Sequence, residues 1–378
     1  MSRVSKAPLQ GVVTPVGSCR IATPLRLAAE AYGFTYNRGR SFGFTHSSAE
    51  SVQQVRFMAG EIDPPASVGP FLSQVSQDAI SSEKHLDSDV YVVEICSAKE
   101  LRIGEFVIQL NYLVRRCPVF FGDIGRRGAF WQLTEKGDQA ALDAFLAAEW
   151  SADDEQRTES DFLRQISLHM ATVEDLERDM RWLVDRLPRV VFVTHVDALR
   201  SDGTPIRARS TVIGDVEAVA RRLNVPVFNP TGAMLDWGQA GALEPDSPSL
   251  AHYTDDFSAR IGDLLMADGV SDALIRAAVN RYDDEDMLMR HVAARRSQNN
   301  LAHLDQALSW AVEHRPGWVG VGEKALRVAV ESGHRDRAAA LIRDGRLDVL
   351  SPEQQADFAA LCAEHNDIGL LSLVHERL

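Results

Sequence analysis

Few side chains can attack an acyl carbon near neutral pH, and a thiol at the start of a helix is one of them. Residues 11–25, GVVTPVGSCRIATPL, set up that arrangement: an apolar β-type run stops on Gly17-Ser18-Cys19 and a helical pattern follows at once. Gly17 is suited to a sharp turn. Ser18 and Cys19 then stand at a helix N-terminus, where the aligned peptide dipoles favour developing negative charge and lower a thiol pKa. Cys19 is the candidate nucleophile, with Ser18 as the alternate nucleophile or as a helix cap. By itself the triplet also fits a small cysteine that packs and never reacts.

A nucleophile needs a base, and the candidate is His252, in the loop of DSPSLAHYTDDFSARIGDLL. There Phe257, Ile261, Leu264 and Leu265 begin a closing helix. A histidine before the last helix of a sheet domain is placed to meet a residue that follows the first strand, although the two are far apart in sequence. Other polar residues recur where strands end. Thr45 and His46 precede a helix whose start is marked by Ser47 and Glu50, a capping-box spacing. Ser97 and Lys99 follow the run VYVVEIC, and His195 and Asp197 follow RVVFVT. Asn111 is a neutral amide able to donate to an oxyanion, though asparagine is common in turns for backbone reasons. Glu94, inside the buried-type run, requires a partner and is a candidate anchor beneath the site.

The elements that must position these groups alternate strand and helix. Strands are expected in the run GVVTPV that stops on Gly17, within FTYNRGRSFGFTHSS, at Val90 to Cys96, Arg189 to Thr194 and Val225 to Asn229, with helices between them. That pattern predicts an α/β domain over residues 8–268, a parallel sheet with helices on both faces. Its carboxyl edge would carry the site. A helical insertion is expected at about 120–188, with Leu163, Ile166, Met170, Leu176, Met180 and Leu183 at helical spacing and His169 in the stripe as a structural histidine. Residues 269–378 contain only helix formers and turns, which predicts an all-helical second domain. Gly-His-Arg-Asp at 333–336 and Glu-His-Asn-Asp at 364–367 hint at helix-pair repeats of the tetratricopeptide or ankyrin kind, without their signatures. Such a domain suits a protein partner, or a lid or dimer face.

Composition narrows the class. The 378 residues are 45% hydrophobic and 25% charged, as expected of a soluble globular protein. A net charge of −14 argues against a nucleic-acid partner. The four cysteines have no metal or redox spacing, so no metal is expected and a reducing compartment fits. No signal peptide or membrane-spanning run is evident, which predicts a cytoplasmic protein with no transmembrane segment.

Taken together, Gly-Ser-Cys after strand one, Thr-His-Ser after strand two, VEICSAKE after strand three and the late His252 resemble the SGNH/GDSL hydrolase superfamily. The likeness is narrower to its GSCFA-type and WcbI-like relatives, linked to bacterial polysaccharide acylation, and covers roughly residues 8–268. It implies a flavodoxin-like (SGNH-type) sheet, Cys19 at the nucleophile position, and acyl transfer to a sugar or polysaccharide hydroxyl with acyl-coenzyme A as co-substrate. Arg20, Arg38, Arg40 and Lys99 are available for its phosphates. The sequence departs from the family in two places. Its Asp-x-x-His acid would fall on Ser249, leaving Asp246, Asp255 or Asp256 to orient His252, or a dyad without a third member. Its Gly-x-Asn-Asp block is absent, leaving Ser97 or Asn111 to join the backbone N–H of Cys19 and an amide of the second-strand loop at the oxyanion. An esterase of the same fold and a non-catalytic scaffold built on the helical repeats are the alternatives.

Overall fold

The computed structural model describes residues 11–37, 43–72, 88–245, 250–280, 308, 311–312 and 318–377. They form two compact units, one of Val12–Ala29 with Thr35–Val270 and one gathering Glu30–Phe34 with Ser271–Leu378.

The first unit is built on five parallel strands: β1 (Val12–Val16), β2 (Thr35–Tyr36), β3 (Val90–Glu94), β7 (Val190–Val193) and β8 (Val227–Phe228), ordered β2-β1-β3-β7-β8. β-branched and aromatic runs buried on both faces suit a parallel sheet, and every residue of β3 and β7 is buried. One face carries Val16, Tyr91, Val93 and Phe192. Packed on it are α2 (Ser48–Met58), α3 (Val173–Arg186) and α4 (Arg207–Leu223), through Val55, Met58, Leu176, Met180, Leu183, Val212 and Val216. Burying each such side chain contributes about 1.5–3 kcal/mol. Right-handed crossovers require α1 (Cys19–Tyr32), which joins β1 to β2, to lie on the opposite face from α2, which joins β2 to β3 on the other side of β1. There α5 (Asp255–Leu265) comes so close that a Cβ on Gly262 would lie 2.6 Å from the Pro24 carbonyl oxygen.

The sheet runs to β2 on one side of β1 and to β3 on the other. The carboxyl ends of β1 and β3 are therefore the topological switch point, the place at which open α/β sheets bind ligands.

Between β3 and α3 the chain departs from the expected helical insertion. A three-stranded antiparallel sheet forms from β4 (Lys99–Ile103), β5 (Phe106–Ile108) and β6 (Ile166–Met170), with β4 in the middle. Helices from Leu110 to Leu163 pack on it through Phe120, Phe130, Leu146, Trp150 and Leu163. Ile166 and Met170 thus belong to a strand, and the helical stripe resumes only at Leu176. Their spacing also fits a helix, but pairing with β4 satisfies the backbone of 166–170 instead.

Among the described residues, the second unit includes two pairs of packed helices: Val319–Glu331 with Arg335–Arg343, and Pro352–Glu364 with Ile368–His375. Each helix of the second pair begins 33 residues after its counterpart, 319 to 352 and 335 to 368. The turns match too. His334 N–H donates to Ala329 O and Asp367 N–H to Cys362 O, around Gly333 at φ +74° and Asn366 at φ +54°. Gly333 is therefore equivalent to Asn366, and the likeness between 333–336 and 364–367 lies two residues out of register. No helix among the described residues is long and apolar enough to cross a membrane.

Candidate functional site

β1 ends in the buried turn Gly17-Ser18, and Cys19 is the first residue of α1. Ser18 acts as the cap: its carbonyl accepts from Ile21 and Ala22 N–H, and its hydroxyl accepts from Arg20 N–H at 3.3 Å. The hydroxyl is buried. Gly17 is required for space and not for a left-handed backbone, because a Cβ there would lie 2.6 Å from Glu94 Cβ and 2.7 Å from Ile21 Cδ1.

Glu94, fully buried at the end of β3, is the anchor beneath this turn. One carboxylate oxygen accepts Ser18 N–H at 2.7 Å, and the other pairs with Arg20 Nε at 2.6 Å. Arg20 Nη2 reaches Cys96 Sγ at 2.9 Å. Burial disfavours the Arg20 charge, but the neighbouring Glu94 outweighs it and raises the Arg20 pKa, so the guanidinium stays charged.

Cys19 is half-buried, and its Sγ lies 3.6 Å from His252 Nδ1. The imidazole is exposed and its backbone is held by a short antiparallel bridge. Leu243 pairs with Tyr253, Glu244 N–H donates to His252 O, and Thr254 N–H donates to Ala242 O. Burial pushes the Cys19 thiol up from its ordinary pKa; Arg20 opposes this and Glu94 adds to it. The lowering expected at a helix N-terminus is thus outweighed by desolvation, and the resting thiol keeps its proton at neutral pH. Among the described residues no carboxylate bonds the His252 ring. Asp255 and Asp256 are exposed in the first turn of α5, and Asp246 and Ser249 lie outside the described residues.

In the loop before α2, Thr45 N–H donates to Gly17 O at 3.2 Å, and His46 O accepts from Cys96 and Ser97 N–H at 2.8 and 3.0 Å. The His46 ring meets Gln109 Nε2 at 3.2 Å through Nδ1. Burial and the nearby Arg20 charge hold His46 down at about 4, so it is neutral. His195 is also buried and kept neutral, by desolvation and then by Arg20 and Arg209, with Nδ1 against Val196 O at 2.9 Å.

The structure therefore brings Cys19, His252, Arg20 and His46 to one edge, with His195 buried close enough to feel Arg20 and His46. Other expected residues are placed differently. Asn111 is exposed in the first turn of the helix Leu110–Arg116, its backbone N–H on Gln109. Ser97 Oγ accepts from Lys99 N–H, and Lys99 opens β4 as an exposed residue. Arg20 is committed to Glu94 and Cys96 in place of a phosphate; Arg38 and Arg40 lie outside the described residues. The loop amides expected to face an oxyanion are spent as well. Phe44 N–H goes to the Tyr112 hydroxyl, Thr45 N–H to Gly17 and His46 N–H to Glu50. Gln109 and Cys96 were not foreseen. The signal for Gln109 was a lone amide inside the apolar run FVIQL.

Residues 11–268 match the family model described as the TviD N-terminal domain. Over 270 residues, 71% of this chain, the sequence is 36% identical to the Vi polysaccharide biosynthesis protein TviD of Salmonella typhi. The matched stretch spans 31% of that relative's length. No solved structure matches the chain.

Proposed function

The chain belongs to the family of the TviD N-terminal domain, and on that premise we propose that it transfers an acyl group, through Cys19 and His252, to a hydroxyl of a sugar or polysaccharide precursor. The observation that carries this reading is the 3.6 Å approach of Cys19 Sγ to His252 Nδ1 at the first turn of α1. The relative's name, a polysaccharide biosynthesis protein, supports the acceptor class. The strand order β2-β1-β3-β7-β8 is that of a flavodoxin-like sheet and supports the SGNH-type reading of the fold.

In this mechanism acyl-coenzyme A is the donor. His252 takes the thiol proton as Sγ bonds to the carbonyl carbon, and proton transfer accompanies attack because the resting thiol is protonated. The carbonyl reforms, the bond to the coenzyme sulfur breaks, and His252 returns the proton to that sulfur. A sugar hydroxyl then repeats the sequence against the acyl-cysteine, leaving an ester and the free thiol. The backbone N–H of Cys19, at the first position of α1, is the backbone donor assigned to the oxyanion. Water in place of the sugar makes the same residues an esterase. The base works as a Cys-His dyad or with Asp246, which lies outside the described residues. The 33-residue helix pairs favour a second role, contact with a protein partner, in either case.

The test is to incubate the protein with acyl-coenzyme A and weigh the intact chain. An acyl adduct is expected on Cys19, absent from Cys19→Ala and retained in Ser18→Ala. An adduct on Ser18, or full turnover by Cys19→Ala, would move the role to the serine. Absence of both adduct and turnover in the unaltered protein would leave the scaffold reading.

A further inference from the structure

Building on the acyl-transfer reading, we propose that His46 is the side-chain donor to the carbonyl oxygen of the reacting acyl group, through an Nε2–H that Gln109 holds in place. The assignment begins with Gln109. As the cap of the helix Leu110–Arg116, its Oε1 accepts from Asn111 and Tyr112 N–H at 2.5 and 3.1 Å, which settles which end of the amide is oxygen. The end that meets His46 Nδ1 at 3.2 Å is therefore the NH2, which only donates. Nδ1 must accept, so in the neutral ring the proton sits on Nε2. Burial and Arg20 keep the ring neutral, with a pKa of about 4, so at neutral pH it is a donor of one defined tautomer.

Placement supports the role. Thr45 N–H on Gly17 O clamps this loop to the nucleophile turn, while His46 O takes two N–H groups from the segment after β3. His46 thus bridges the carboxyl ends of β1 and β3, the sheet edge at which Cys19 stands. The competing donors are committed elsewhere: the amides of Phe44, Thr45 and His46 are bonded, Asn111 is exposed on its helix, and Arg20 is tied to Glu94 and Cys96. When Sγ bonds to the carbonyl carbon, the C=O electron pair moves onto oxygen. The backbone N–H of Cys19 and the ring Nε2–H of His46 stabilise that charge, which leaves again as the leaving-group bond breaks and the carbonyl reforms. His46 is then catalytic and Gln109 a positioning residue.

p-Nitrophenyl acetate and iodoacetamide separate this from the parent reading. Acylation by the ester passes through an oxyanion, whereas alkylation at a saturated carbon reports only the thiol and its base. His46→Ala and Gln109→Glu are expected to slow release of p-nitrophenolate by about 10²–10³-fold, with Cys19 alkylation unchanged within about twofold. Gln109→Glu keeps an acceptor for the helix cap but replaces the donor facing Nδ1, and His46→Gln, which retains an N–H, recovers part of the loss. Nitrogen-15 spectra should show His46 protonated on Nε2 between pH 6 and 8, and on Nδ1 in Gln109→Glu. Acylation of His46→Ala at the unaltered rate, or a parallel loss of alkylation, would overturn the proposal while leaving acyl transfer intact. Failure of the unaltered protein to acylate Cys19 would instead remove acyl transfer, and this proposal with it.

Discussion

The turn at Cys19 and the helix pairs of the second unit are held by opposite kinds of contact. Around Cys19 the deciding contacts join residues 74 to 233 positions apart: Arg20 to Glu94, Ser18 to Glu94, Cys19 to His252. In the helix pairs the same local turn recurs after 33 residues, closed by bonds between residues five apart. Long-range bonds between buried charges make a rigid site whose parts fail together. Local bonds make a modular stack in which one helix can loosen while its neighbour stays formed.

That contrast can be broken most forcefully at Glu94. Glu94→Ala leaves the Arg20 guanidinium buried without its carboxylate, and the expected cost is about 3–5 kcal/mol in urea denaturation of the first unit. A loss near zero would mean that the turn is held locally, like the helix pairs.

A smaller, pH-dependent effect is expected at Glu50. Among the described residues this carboxyl is buried without a cation; its burial and the charge of Glu100 push its pKa up to about 8, against partial relief from the N–H groups of His46 and Ser47. Because the folded pKa lies above the unfolded value, the folded chain binds the extra proton. Stability is fully present below the unfolded pKa and is lost as pH rises through about 8. Denaturation at pH 5, 6.5 and 8 should show that decline in the unaltered protein and a flatter profile in Glu50→Gln. Parallel profiles would show that Glu50 does not hold its proton.

The smallest effect belongs to the helix pairs. Ser351 and Gln354 form a capping box at the start of Pro352–Glu364, and Ser351→Ala is expected to lower local stability by about 1 kcal/mol. Hydrogen exchange should speed up in that helix while the amides of β1, β3 and β7 keep their protection. Acceleration in both units would show the two to be one cooperative body.

Much of the scaffold was legible because strands and helices advertise themselves through local periodicity. Val90–Glu94 and Val190–Val193 lie within the apolar runs that announced them, and Ser47 caps α2, its hydroxyl accepting Glu50 N–H. β6 was not legible: five residues are too few to separate a two-residue from a 3.6-residue period, and β4, which decides the matter, lies more than sixty residues earlier. The same division runs through the site. Residue types and strand ends were enough to single out Cys19, His252, His46 and the oddity of Glu94. What each group does was decided by tertiary contacts: Arg20 is an ion-pair partner, Asn111 stands apart, Gln109 sets the tautomer of His46, and burial raises the Cys19 thiol that the helix start should have lowered. The reason is physical. Periodicity is written in neighbours along the chain, whereas desolvation and charge pairing depend on atoms that only the folded chain brings within a few ångströms.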